Sequence, residues 1–207
     1  STLASDGLGP LFNARSCQSC HIKDGRGHPP ENKTDSAESI FLRVSVPVDG
    51  TLDMSPIESY LHSLDAETQR TAPDPTYGGQ MQDFAVQGHA AEYRFDVSYD
   101  TMDVALSDGE TASLRRPTYT AADLGYGPLA KGAMLSPRVT QQMIGLGLLE
   151  AIPAADILAQ EDPDDADDDG ISGRAQFVWS DEFNRIMLGR FGHKAGKPTV
   201  REQSAAA

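Results

Sequence analysis

The sequence predicts a mainly α domain with long loops and a small inserted antiparallel β-ribbon, α+β overall. Three observations lead there. Hydrophobic residues make up 39% of 207 positions while glycine (19) and proline (13) are plentiful, which suits one loop-rich domain with a sizeable core. Helix signals recur in short pieces, at Cys17–His21, at 57–64, from Ser136-Pro137 onward and at 154–160. One segment, 92–99, alternates strictly: Tyr93, Phe95, Val97 and Tyr99 against Glu92, Arg94, Asp96 and Ser98, the pattern of a half-buried strand.

The stretch Cys17-Gln18-Ser19-Cys20-His21 organises the rest. C-x-x-C-H is the attachment pattern for c-type haem. Two thiols at this spacing reach the two vinyl groups on one porphyrin edge, and the next residue supplies an imidazole for the iron. Other uses of the two cysteines fit less well. A disulfide has no need of His21. A zinc site needs about four ligands, and the chain has no other cysteine pair. A thioredoxin-like pair belongs in a βαβ unit, which the surrounding sequence does not predict. Covalent haem c is therefore expected, and the fold becomes a cytochrome c-like haem domain covering 1–207.

Formal net charge is −14, with a pI near 4.6. That argues against nucleic acid and anionic membrane surfaces as partners, and favours a basic redox partner or plain solubility. No apolar run reaches the roughly 18 residues of a membrane span. No signal peptide is seen. Because c-type haem is attached outside the bacterial cytoplasm, a periplasmic location is expected, with a leader absent from this sequence. The haem motif lies close to the first residue, and Ser204-Ala205-Ala206-Ala207 ends inside a helix signal begun by the capping pair Thr199 and Glu202. A fragment of a longer protein is the expectation.

In chain order, a short helix carries the cysteines and ends at Gly25 and Gly27. Leu8, Leu11 and Phe12 are candidates to pack on the porphyrin. Arg15 and Arg26 are candidates for its propionates, since a guanidinium matches a carboxylate as a fork. Residues 40–46 (Ile-Phe-Leu-Arg-Val-Ser-Val) read as a strand, broken by Pro47, Asp49-Gly50 and Pro56. A short helix at 57–64 contains His62, and 71–80 is loop. The alternation at 92–99 continues through Met102, Val104 and Leu106 to a turn at Asp108-Gly109, with 111–119 returning, so 90–120 is the inserted ribbon. Ser136-Pro137 reads as a helix start, running toward Met143-Ile144. Gly145 and Gly147 then point to close approach to a flat partner such as haem.

Residues 162–170 are an acidic run. Asp165, Asp167 and Asp169 with Gly170 match the first half of a calcium loop, and Ile171 would add a carbonyl. Gln176 stands at the twelfth position, where an EF-hand has glutamate, and 175–179 reads as a strand. Calcium on a loop that is not an EF-hand is expected, against a plainly solvated acidic loop.

Taken together, 6–21 with Lys23-Asp24-Gly25-Arg26-Gly27, Tyr77-Gly78-Gly79-Gln80, Ser136-Pro137-Arg138, Met143 through Ile152, Asp169 through Arg174, and Leu188-Gly189-Arg190-Phe191-Gly192 with Lys194-Ala195 resemble the bacterial dihaem oxidoreductase family, also described as thiol oxidoreductase-like or peroxidase-like. His193 stands where the family pattern has an aromatic residue. The resemblance implies a periplasmic c-type cytochrome working with a second haem domain beyond residue 207; no second C-x-x-C-H is present here. Two functions follow: an oxidoreductase or peroxidase in the full protein, or a non-catalytic monohaem electron carrier whose haem is closed by two protein ligands. The sixth iron ligand decides between them. Candidates are Met54, Met81, Met102, Met134, Met143, His28, His62, His89 and His193; Met143 is preferred because two glycines follow it, and Met134 is second.

Overall fold

The computed structural model describes residues 9–32, 34–35, 37–47 and 71–206, so Leu8, Met54, His62 and the helix expected at 57–64 lie outside the described residues. Strands dominate those residues: nine strands against four short α-helices. This overturns the expectation of a mainly α, cytochrome c-like domain. The helix signals at the cysteines and at 154–160 do form helices, but short ones, and the longest α-helices hold six residues. Pieces of that length are marginal by themselves and form only where tertiary contacts hold them.

The chain divides into two compact units, Ser1–Gln142 and Met143–Ala207. The first contains β1 (Leu11–Phe12), α1 (Cys17–Cys20), β2 (Ile40–Pro47), β3 (Thr71–Ala72), β4 (Phe84–Ala85), β5 (Arg94–Ala105), β6 (Thr111–Ala122) and β7 (Met134–Val139). A single 3-10 turn, Ile22–Asp24, follows α1.

β2 is central in an antiparallel sheet of order β3-β2-β7. Its buried residues Ile40, Leu42, Val44 and Val46 alternate with Phe41, Arg43 and Ser45, so one face packs inward. Leu42 and Val44 meet Tyr77, Met81 and Tyr93 in the core, with Phe95, Tyr119 and Leu135 packed around them. Burying that apolar surface supplies most of the unit's stabilisation, at about 25 cal/mol per Å². Asp74 is buried as well but satisfied, since its carboxylate accepts from the N–H groups of Thr76, Tyr77 and Ala130. Three accepted hydrogen bonds offset the desolvation of that charge.

Ser136-Pro137 does not start a helix. Both residues lie in β7, with Pro137 opposite Leu42. Proline lacks an N–H for the ladder, and β7 is the sheet's edge, where that loss is tolerated.

β5 and β6 pair along their full length, from Arg94↔Ala122 to Ala105↔Thr111. The turn between them places Gly109 at φ 88°, a conformation that suits glycine. The Tyr99 hydroxyl donates to the Pro30 carbonyl and so ties the ribbon to the loop after α1.

The second unit contains α2 (Leu146–Ala151), α3 (Ala154–Leu158), β8 (Phe177–Ser180), β9 (Arg185–Leu188) and α4 (Val200–Ala205). β8 and β9 form a hairpin. The Arg190 guanidinium donates to the carbonyls of Leu149, Glu150 and Ile152, satisfying the C-terminal end of α2. At α4 only half of the expected capping box forms. Thr199 accepts from the Glu202 N–H, while the buried Glu202 carboxylate accepts instead from the Ser180 hydroxyl.

Candidate haem site

Cys17 and Cys20 open and close α1, a single turn, so their side chains stand one turn apart on the same side. Both thiols are free; Cys17 is exposed and Cys20 half-buried. Burial is the main reason the Cys20 thiol sits above its ordinary pKa, and the negative charges of Glu38, Asp83 and Cys17 add to it. That shift is opposite to the lowered pKa of a reactive thioredoxin-like pair. Attachment to haem would use the thiol form, which adds S–H across a vinyl double bond to give a thioether.

His21 follows α1 directly. Its Nδ1 lies 2.5 Å from the carbonyl oxygen of Gln141. A carbonyl only accepts, so Nδ1 carries the proton and donates, and Nε2 keeps its lone pair. An imidazole oriented in this way by its second nitrogen is the arrangement of a metal-ligating histidine.

The motif is anchored from both strands of the β2–β7 ladder. The Ser39 hydroxyl donates to the Cys20 carbonyl at 3.0 Å, and the Thr140 hydroxyl donates to the same oxygen at 2.7 Å. These residues flank the ladder's terminal pair, Ile40↔Val139. Gly27 closes the loop over them: its N–H donates to the Thr140 carbonyl, and a Cβ there would lie 2.2 Å from Thr140 Oγ1. Donor set, tautomer and two free thiols one turn apart together fit a covalently bound haem held by Cys17, Cys20 and His21.

The other expected haem contacts are placed as follows. Phe12 lies in β1, which pairs with β4, and its ring stacks on Phe84 at 5.8 Å. Arg15 lies over the Phe12 ring, 5.7 Å from its centroid. Arg26 is exposed, as are His28, His89 and His193. Met81 is core and fully buried. Met102 is on β5 opposite Leu114, and Met134 begins β7. Met143, half-buried, is the first residue of the second unit, and its carbonyl accepts from the Leu146 N–H. Gln141, Ser39 and Thr140 hold the motif without having been legible as site residues; Ser39 and Thr140 signal themselves only as small polar residues next to a strand, and Gln141 acts through its backbone carbonyl.

Buried groups surround the motif. Burial, with Glu38 adding to it, pushes the Asp83 carboxyl up to about 7, against its own backbone N–H. Asn13 accepts from the Asp83 backbone N–H. Burial likewise raises the Tyr93 hydroxyl.

In the acidic loop, Asp162, Asp165 and Asp167 converge, with carboxylate oxygens within 4.8 Å of one another. Asp169 is not in that group. Its carboxylate accepts from the Ile171 N–H at 2.8 Å, and Ile171 is largely exposed.

A family model described as "Di-haem oxidoreductase, putative peroxidase" matches residues 2–207, essentially the whole chain. No curated protein and no solved structure matches. Haem binding within a di-haem architecture follows from the family, as does a second haem domain as partner. No helix among the described residues is long and apolar enough to cross a membrane.

Proposed function

We propose that this chain, which belongs to the di-haem oxidoreductase family, carries one haem c and exchanges electrons in the periplasm with the second haem of the same protein. Thioethers at Cys17 and Cys20 and the Nε2 of His21 would hold the group. The observation that supports the reading best is the His21 ring, fixed by the Gln141 carbonyl with Nε2 left to bind iron. When bound, haem supplies an iron that gains or loses one electron. The protein's own contribution is orientation. Gln141 holds the Nδ1 proton and so fixes the tautomer and orientation of the ring. Ser39 and Thr140 fix the Cys20 carbonyl, and with it the angle of α1 against the ladder. An acidic surface favours a basic redox partner.

A closed, bis-ligated monohaem carrier is the second reading, with Met143 as the sixth ligand. The glycines after Met143 support it, since Gly145 takes φ 88° and lets the chain turn sharply into α2. The oxidised protein then shows the weak near-infrared sulfur-to-iron band, and Met143→Ala abolishes it. Absence of the band from the wild type rejects Met143, leaving a histidine-ligated or open iron; peroxide turnover by the full-length protein identifies the open case.

Calcium in the acidic loop belongs to the same proposal, with the ligand set moved to Asp162, Asp165 and Asp167. Their convergence supports it, because like charges at that separation repel without a cation. Binding to the folded state alone adds RT ln(1 + [Ca]/Kd), about 2.7 kcal/mol at a hundredfold excess over Kd. Calcium is expected to raise the melting midpoint at fixed ionic strength, and Asp165→Ala to remove the effect. An equal midpoint in chelator and in calcium leaves only a solvated loop.

A further inference from the structure

One face of the β2–β7 ladder brings two arginines side by side. Strand alternation sends Phe41, Arg43 and Ser45 to the side opposite the core. The register sets Arg138 across from Phe41 and Ser136 across from Arg43, so the two arginines occupy diagonal positions on the ladder. On its other edge Arg43 bridges to Gln80. The ladder continues one step further, where the Thr140 N–H donates to the Ser39 carbonyl at 3.0 Å. Ser39 and Thr140 have the same parity as Arg43 and Arg138, and their hydroxyls hold the Cys20 carbonyl. The haem motif and the two arginines therefore share one face. At about 3.3 Å per residue, Arg43 lies about 13 Å along the strand from Ser39.

No ion pair among the described residues involves either guanidinium. Partial burial and then the charge of Arg138 lower the Arg43 pKa. Two arginines at diagonal positions with hydroxyl and amide neighbours suit carboxylates, which accept bidentate hydrogen bonds. Arg15 is engaged with Phe12 and Arg26 is exposed elsewhere in the motif loop, so neither forms such a pair.

We propose that Arg43 and Arg138 form a clamp for carboxylates, those of the haem propionates. The inference rests on the haem reading above. It assigns the side chains that neutralise the ring's anionic edge while α1 holds its vinyl edge. Neutralised propionates favour the reduced iron, so the clamp raises the potential at which Fe(III) takes up one electron.

The test is a spectroscopic redox titration of the holo-protein, with haem content measured separately by intact mass. Arg43→Gln and Arg138→Gln are each expected to lower the midpoint. The Fe(III)/Fe(II) ratio at the wild-type midpoint should rise several-fold, a tenfold rise being 59 mV for one electron. Arg43→Lys and Arg138→Lys keep the charge and should recover most of the shift, which separates the effect from misfolding. Unchanged midpoints in both glutamine variants, with haem present, overturn the clamp alone. A wild type without haem overturns the haem reading and the clamp with it. Succinate at fixed ionic strength is expected to leave the wild-type spectrum and midpoint unmoved. A succinate effect that Arg43→Gln abolishes would overturn the propionate assignment and mark a site for free carboxylates.

Discussion

At the scale of single residues, Asp83 and Cys20 show how burial near the motif sets protonation. Each is raised above its ordinary value mainly by burial, and each feels the charge of Glu38. For Asp83 the consequence can be measured. Its carboxyl moves from an ordinary 3.8 to about 7 in the folded protein. A raised folded pKa means that the folded state holds the proton more tightly than the unfolded chain. The resulting stabilisation is full below about pH 4, falls as pH rises between the two values, and is gone above the folded pKa. Wild-type stability relative to Asp83→Asn should therefore fall between about pH 4 and about pH 7, since the amide has no such proton to lose. Melting curves of both proteins across that range check it; a difference independent of pH would show that the carboxyl is not held protonated.

At the scale of elements, the motif loop depends on a close approach that only glycine permits. A Cβ at Gly27 would meet Ser39 Cβ at 2.5 Å as well as the Thr140 hydroxyl. Gly27→Ala should cost about 1–3 kcal/mol through overpacking, and should displace the two hydroxyls that hold the Cys20 carbonyl. A thermal midpoint and haem occupancy equal to wild type would show that the loop relaxes freely. Legibility in the sequence follows the same logic. β5 could be read because alternating burial leaves a period-2 trace in a strand with one face inward, and β2 because its β-branched and apolar residues suit a strand. β7 could not, because Ser136-Pro137 marks a helix start and an edge strand equally well, and the decision lies in pairing with β2, about a hundred residues earlier. In the site, Cys17, Cys20 and His21 are a contiguous pattern. Their supports are not: Gln141 lies 120 residues from His21, and a lone backbone carbonyl has no sequence signature.

At the scale of the whole molecule, the chain is an acidic protein of two units, and the haem motif lies wholly in the first. Helices are few and short, so the haem domain proposed here is built against strands: α1 leans on the end of the β2–β7 ladder, and the ladder's outward face carries the arginine pair. The iron-binding role of His21 and the arginine clamp both depend on haem attached at Cys17 and Cys20. The most direct test is the intact mass of the chain matured in a periplasm, measured after denaturation and acid-acetone extraction. Covalent attachment predicts a chain heavier by one haem, and Cys17→Ser with Cys20→Ser at the mass of the bare polypeptide. A wild-type chain at bare mass, with its colour lost to the solvent, would contradict the account.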